Sequence, residues 1–180
     1  MKFIKFFTLM IGILLLWSCK TVPVTKDESI YVMVYDYNNT GIKDVSVSLD
    51  GFEIGKTDVY GRFVYPYSLN EKKIHEIYIK KAGFESISET IKNINGDLVL
   101  YYKLYDANTY ARLAEENLDN EKIDSALNYI DKAVQIESRE DYLFFKAIVL
   151  HKLNREDELK NLLEKIQNTK YKSYLMKHTE

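Results

Sequence analysis

The 180-residue chain has one cysteine, two prolines, three histidines and one tryptophan. A single cysteine excludes an intramolecular disulfide and any multi-cysteine zinc site. Three histidines and two prolines leave little material for a histidine-built metal site or a proline-rich recognition segment. Charge of one sign is missing too: 25 basic side chains face 27 acidic ones. That near balance argues against a dedicated nucleic-acid binder, which needs a basic excess to neutralise phosphates. What the chain does have is 46% hydrophobic residues, enough for a packed core, and 15 tyrosines.

The N-terminus reads as an address. Lys2 and Lys5 precede an apolar run of twelve residues, Phe6 through Trp17. A spanning helix needs about 20 such residues, so the run fits a secretory signal instead. Leu16-Trp17-Ser18-Cys19 then resembles the bacterial lipobox, with Trp17 departing from the usual residue at its position. The resemblance implies that residues 1–18 are a signal peptide and that Cys19 carries diacylglycerol and becomes the new N-terminus. Several acyl chains on one residue hold a protein firmly where a single chain binds reversibly. Removing Lys2 and Lys5 leaves 23 basic and 27 acidic side chains, a formal −4. Residues 19–28 are polar and aperiodic and form a tether that reaches at most ~35 Å. Lys20, where an aspartate would signal inner-membrane retention in some bacteria, leans toward the outer membrane. The expected location is the cell envelope, anchored to a membrane by lipid.

Beyond the tether the pattern predicts an α+β chain of two domains, a small antiparallel β-sandwich over 29–104 and a helical domain over 106–177. Ile30, Val32 and Val34 alternate with Tyr31, Met33 and Tyr35, a period of two. Val45, Val47 and Leu49 repeat it, and Asp50-Gly51 signals a hairpin. Arg62–Tyr67, Glu76–Lys81 and Leu98–Leu104 continue the alternation. Thr40-Gly41 with Val45-Ser46-Val47, then Thr57-Asp58-Val59-Tyr60-Gly61-Arg62-Phe63 and the later Gly83-Phe84, resemble the carboxypeptidase regulatory-like domains. Those have a transthyretin-like fold, which implies a non-catalytic module. Asp58 is expected to cap the turn before Gly61.

From 106 to 168 glycine and proline vanish. Ile123, Ala126, Leu127, Ile130, Ala133 and Val134 form a helical stripe. Ala114 and Ala147, Ala126 and Leu159, and Ile130 and Leu163 are each 33 apart. The two helix hairpins this predicts resemble tetratricopeptide repeats. The second repeat is the weaker match: Lys146 stands where a leucine is expected and Leu159 where a small residue is. Tyr171–Lys177 reads as a capping helix.

No chemistry stands out. His75, His151 and His178 have no Gly-x-Ser-x-Gly elbow or other activating motif. Asp36-x-Asn38-x-Thr40-Gly41 imitates the start of a calcium loop, but its twelfth position is Val47 where a bidentate glutamate is required, so it reads as a turn. No phosphate-binding glycine loop occurs, and no motif selects a carboxylate pair among the acids. Neither an enzyme, nor a metal, nor a cofactor is expected. Glu115, Glu116, Asp119, Glu121 and Asp124 read as a solvated helix surface.

The tyrosines give the one candidate site. Tyr31, Tyr35 and Tyr37 are placed on one face of the first strand, and Tyr101 has outward parity on the last. An apolar ring with a polar tip suits a contact surface. The alternative is that both sheet faces are covered, one by the second sheet and one by the helices. The expected function is a non-catalytic scaffold for envelope proteins. The competing expectation is a glycan- or cell-wall-binding lipoprotein that uses the aromatic surface of the sandwich.

Overall fold

A computed structural model describes residues 28–67, 74–92 and 96–178. Cys19, the signal and most of the tether lie outside them. Among the described residues seven strands come first: β1 Glu28–Tyr35, β2 Ser46–Leu49, β3 Phe52–Lys56, β4 Arg62–Tyr67, β5 Ile74–Lys80, β6 Ile87–Lys92 and β7 Leu98–Lys103. Five helices follow: α1 Ala107–Asp119, α2 Ile123–Ile136, α3 Glu140–Lys152, α4 Glu156–Lys165 and α5 Thr169–His178. The chain is α+β, a two-sheet sandwich followed by a helical region.

The strands form a three-stranded sheet, β4-β1-β7, and a four-stranded sheet, β3-β2-β5-β6. Inward positions of both meet in one core of Ile30, Val32, Val34, Val45, Val47, Ile77 and Ile79, all fully buried. One expectation is corrected. The sandwich is mixed, because β1 pairs antiparallel with β4 but parallel with β7. β4 takes one edge of β1, and β7 returns from the second sheet to the other edge, a crossover that leaves it running the same way. Alternation shows which face a residue takes and is blind to strand direction.

Turn chemistry fixes the corners. Asp50 (φ 51°) and Gly51 (φ 85°) both take the left-handed conformation that the β2–β3 hairpin requires. Asp58 Oδ1 accepts the Tyr60 and Arg62 N–H groups at 2.8 and 2.9 Å, the cap expected of it. Those donors, Arg62 first, hold its carboxyl below the usual range. Asp36 Oδ1 likewise accepts the N–H groups of Asn38 and Thr40, which closes that segment as a turn. The two turns touch. A Cβ on Gly61 (φ 76°) would lie 2.2 Å from the Val34 carbonyl oxygen and 2.8 Å from the Gly41 Cα.

The first helices of the two hairpins repeat at an interval of 33 residues, and the second helices, 14 and 10 residues long, start 33 apart. α1 and α3 are both 13 residues long, with starts and ends offset by 33. Each ends alike: Glu121 and Asn154 are left-handed at φ 60° and 55°. The Glu121 N–H bonds to the Leu118 carbonyl and Lys122 to Asn117, while Asn154 bonds to His151 and Arg155 to Leu150. These bond pairs form a Schellman-type end, which satisfies carbonyls the helix leaves unpaired. Ala114, Ala126 and Ala147 are fully buried and Leu159 is 2% exposed, so the spacing of small and apolar residues marks helix contacts. Lys146, the odd residue of the second hairpin, reaches across from α3 to pair with Asp131 on α2 at 2.6 Å.

Candidate functional site: an open sheet face and a braced junction

Strand pairing assembles the outer face of the three-stranded sheet. In register, Val64, Tyr31 and Val99 form one row across β4, β1 and β7, and Arg62, Met33 and Tyr101 form the next. Pro66 with Ser29, and Tyr35 with Lys103, complete it. Tyr101 is 68% exposed, Val64 51%, Val99 49% and Tyr31 36%. The helices do not cover this face. The rows enclose a shallow depression of about 590 Å³. No carboxylate points outward from the three strands. Asp58, at the rim, pairs with Arg62 at 3.7 Å. The outer face of the four-stranded sheet is more polar, with Ser46, Ser48, Glu53, Glu76, Thr90 and Lys92 around Ile74 and Tyr78.

The tyrosines predicted to share a surface divide. Tyr31 and Tyr35 stand on the open face, and Tyr35 stacks on Tyr101 with centroids 6.5 Å apart. Tyr37 does not join them. β1 ends at Tyr35 and the Asp36 turn breaks the alternation, so Tyr37 packs 5.8 Å from Tyr105 with the Arg112 guanidinium 4.7 Å above its ring. Val64 and Val99 were not singled out from the sequence. Their outward parity is legible, but only the pairing puts them beside Tyr31.

Tyr37 instead belongs to the junction between sandwich and helices. Tyr37, Tyr105, Tyr110 and Tyr129 form a ladder of rings with successive centroids 5.8, 5.3 and 6.1 Å apart. Glu85 fastens it. Its Oε1 accepts the Tyr105 N–H at 3.1 Å and its Oε2 accepts the Tyr110 hydroxyl at 2.5 Å. Its own N–H donates to the Tyr105 carbonyl, and Phe84 bridges to Asp106. Burial, reinforced by Glu85, pushes the Tyr110 phenol above its ordinary pKa. Asp106 then caps α1 through the Thr109 N–H at 2.7 Å. Beside the junction lies a cleft of about 560 Å³ whose lining includes Tyr78, Lys80, Lys81 and Lys132.

His75 lies within β5 and is buried. Its Nδ1 is 2.8 Å from Asp50 Oδ2 and its Nε2 is 2.7 Å from the Tyr67 hydroxyl. A carboxylate only accepts, so Nδ1 donates to Asp50, and Nε2 and the Tyr67 hydroxyl share the second hydrogen bond. The phenol that ends this relay is itself buried, which suits a cross-brace between β4, β5 and the β2–β3 turn. His151, half-buried in α3, faces Glu156 at 3.6 Å, and His178 ends α5. Among the described residues no three His, Cys, Asp or Glu side chains gather as a metal would need, and no helix is long and apolar enough to cross a membrane.

No protein-family model and no curated protein matches the chain. Among solved structures, a Bacillus anthracis protein called TIE is similar over 44% of this chain and 16% of its own, at 18% identity and a TM-score of 0.35. The shaft pilin SpaA of Lactobacillus rhamnosus GG matches over 44% and 47%, at 10% identity and a TM-score of 0.35. The C-terminal domain of the Caf1A usher matches over 43% and 97%, at 14% identity and a TM-score of 0.27. The chain thus spans less than half the length of the first two. At these scores the likenesses carry no argument about what this chain does.

Proposed function

We propose that the protein is a lipid-anchored, non-catalytic interaction scaffold of the bacterial envelope. Acyl groups on Cys19 fix it to a membrane, by the Lys20 reading the outer one. The sandwich is a carboxypeptidase regulatory-like module. The helices form two tetratricopeptide-like hairpins, capped by α5, against which a segment of an envelope protein is buried. The observation that carries this reading is the braced junction. Glu85 holds the β7–α1 connection and the first helix together, so the helices stand at a set offset from the strand that the tether enters. A scaffold needs that rigidity, and a loosely strung pair of modules lacks it. The 33-residue backbone repeat supports the helical part of the reading.

Crosslinking and mass spectrometry on intact cells test it. The expected result is a chain that begins at an acylated Cys19, with reproducible crosslinks from lysines of α2–α4 to one or a few envelope proteins. A native chain beginning at Met1, or turnover of a substrate abolished by changing one acid or histidine, would overturn it. Glycan binding draws on one observation, the exposed Tyr101 ring stacked on Tyr35. Retention on peptidoglycan that Tyr101→Ala abolishes would favour that reading.

A further inference from the structure

We propose that the open face of the β4-β1-β7 sheet lies flat on the lipid bilayer to which the chain is anchored. This rests on the lipid-anchor reading above and adds a second point of contact to it. The face is built for a bilayer interface. Tyr31, Tyr35 and Tyr101 present apolar rings with hydroxyl tips, and such side chains settle where hydrocarbon meets headgroups. Val64, Val99 and Met33 fill the rows between them. Arg62 and Lys103 stand at one end, where long cationic side chains keep their heads in the polar layer. Outward carboxylates, which would be repelled by anionic lipid and are costly to desolvate, are absent from within these three strands, and the two at the border are engaged, Asp58 with Arg62 and Asp97 with the Ser29 N–H.

The route of the chain points the same way. The tether enters β1 at Glu28, and β1 is the central strand of this sheet. Nine residue steps separate Cys19 from Glu28, at most ~32 Å when extended. An anchor that close raises the effective concentration of the bilayer at the face to the millimolar range, so even a weak affinity suffices. A second copy of the chain fits poorly. An isologous contact would set this face against itself and leave the tether and its bilayer to one side. Because the cleaved chain is net acidic, apolar contact rather than charge drives the docking, and raised salt leaves it in place.

A reporter pair tests this on the full acylated chain. The only tryptophan, Trp17, leaves with the signal peptide, so a Tyr101→Trp variant carries a single indole. A Tyr78→Trp variant places the same indole on the opposite outer face. Both are reconstituted in vesicles of phosphatidylethanolamine and phosphatidylglycerol containing brominated phosphatidylcholine. The expected result is a blue shift and severalfold quenching of the Tyr101→Trp indole, with the Tyr78→Trp indole unaffected at low and high salt. An acylated Tyr101→Trp protein with an unquenched indole overturns the docking and leaves the anchor standing. A chain without acyl mass overturns both. Shielding that appears without vesicles as concentration rises assigns the face to a second copy, and shielding in envelopes without bromolipid quenching assigns it to a protein or glycan. Either outcome also overturns the docking.

Discussion

The Thr57 hydroxyl, just past β3, ties down both sides of the turn in the β1–β2 connection. It donates to the Ile42 carbonyl at 2.6 Å and accepts the Val45 N–H at 3.0 Å, in a buried position. Thr57→Val keeps the shape and orphans both groups, at a cost of about 1–3 kcal/mol in urea unfolding. Gly61 is constrained by sterics, since any Cβ meets the Val34 carbonyl oxygen at 2.2 Å. Gly61→Ala is expected to cost about 3 kcal/mol or more, read as a lost or strongly lowered thermal transition. Two phenols set the alkaline limit. Burial first, then hydrogen bonds to Glu89 and Glu85, raise Tyr102 and Tyr110 above the ordinary 10.0. Folding keeps these phenols neutral. Their contribution is therefore fully present below pH ~10 and is lost as pH rises from there toward the raised values, because the unfolded chain ionises first. Stability measured by urea from pH 8 to about 12 should fall less steeply in the Tyr102→Phe, Tyr110→Phe double variant than in the parent.

At the scale of elements, the periods of the sequence carry most of the information. The runs Ile30–Val34 and Val45–Leu49 declare strands, and the 33-residue spacing declares a repeated hairpin whose helix ends then prove congruent. Two strands escape that reading. β3 carries Glu53, Gly55 and Lys56 around a register shift, and β6 reads Ile-Ser-Glu-Thr-Ile-Lys with only Ile91 buried. Both are edge strands of their sheet, and an edge imposes little hydrophobic pattern. The candidate face was half legible for a related reason. Parity gives the outward residues of one strand, and only long-range pairing gathers Val64, Tyr31 and Val99 into a row. Lys146 contradicts the apolar pattern because its partner Asp131 sits on another helix. The Schellman ends allow a direct test. Glu121 is a β-carbon-bearing residue at φ 60°, where glycine costs nothing sterically. Glu121→Gly is expected to stabilise the chain by about 0.5–1 kcal/mol, measured as a raised denaturation midpoint.

The whole molecule depends on how its two parts are joined. Glu85 alone serves the Tyr105 N–H and the Tyr110 hydroxyl, and Tyr110 is 3% exposed. Glu85→Ala leaves both donors without that acceptor, at about 1–3 kcal/mol each. The expected result is a single cooperative transition that splits in two, with proteolytic cleavage appearing near Tyr105. Glu85→Ala combined with Tyr110→Phe should recover part of the loss, since neither partner is then stranded.

Because β1 and β7 run side by side in the same direction, the entry of the first and the exit of the second lie at opposite ends of one ladder. Pulling the N-terminal tether against the helices would therefore drag the two strands lengthwise past each other. Their six residue pairs, Ile30–Leu98 through Tyr35–Lys103, would share the load at once instead of parting one by one like a zipper. Under the anchoring proposed above, tension between tether and helices would load this ladder in shear.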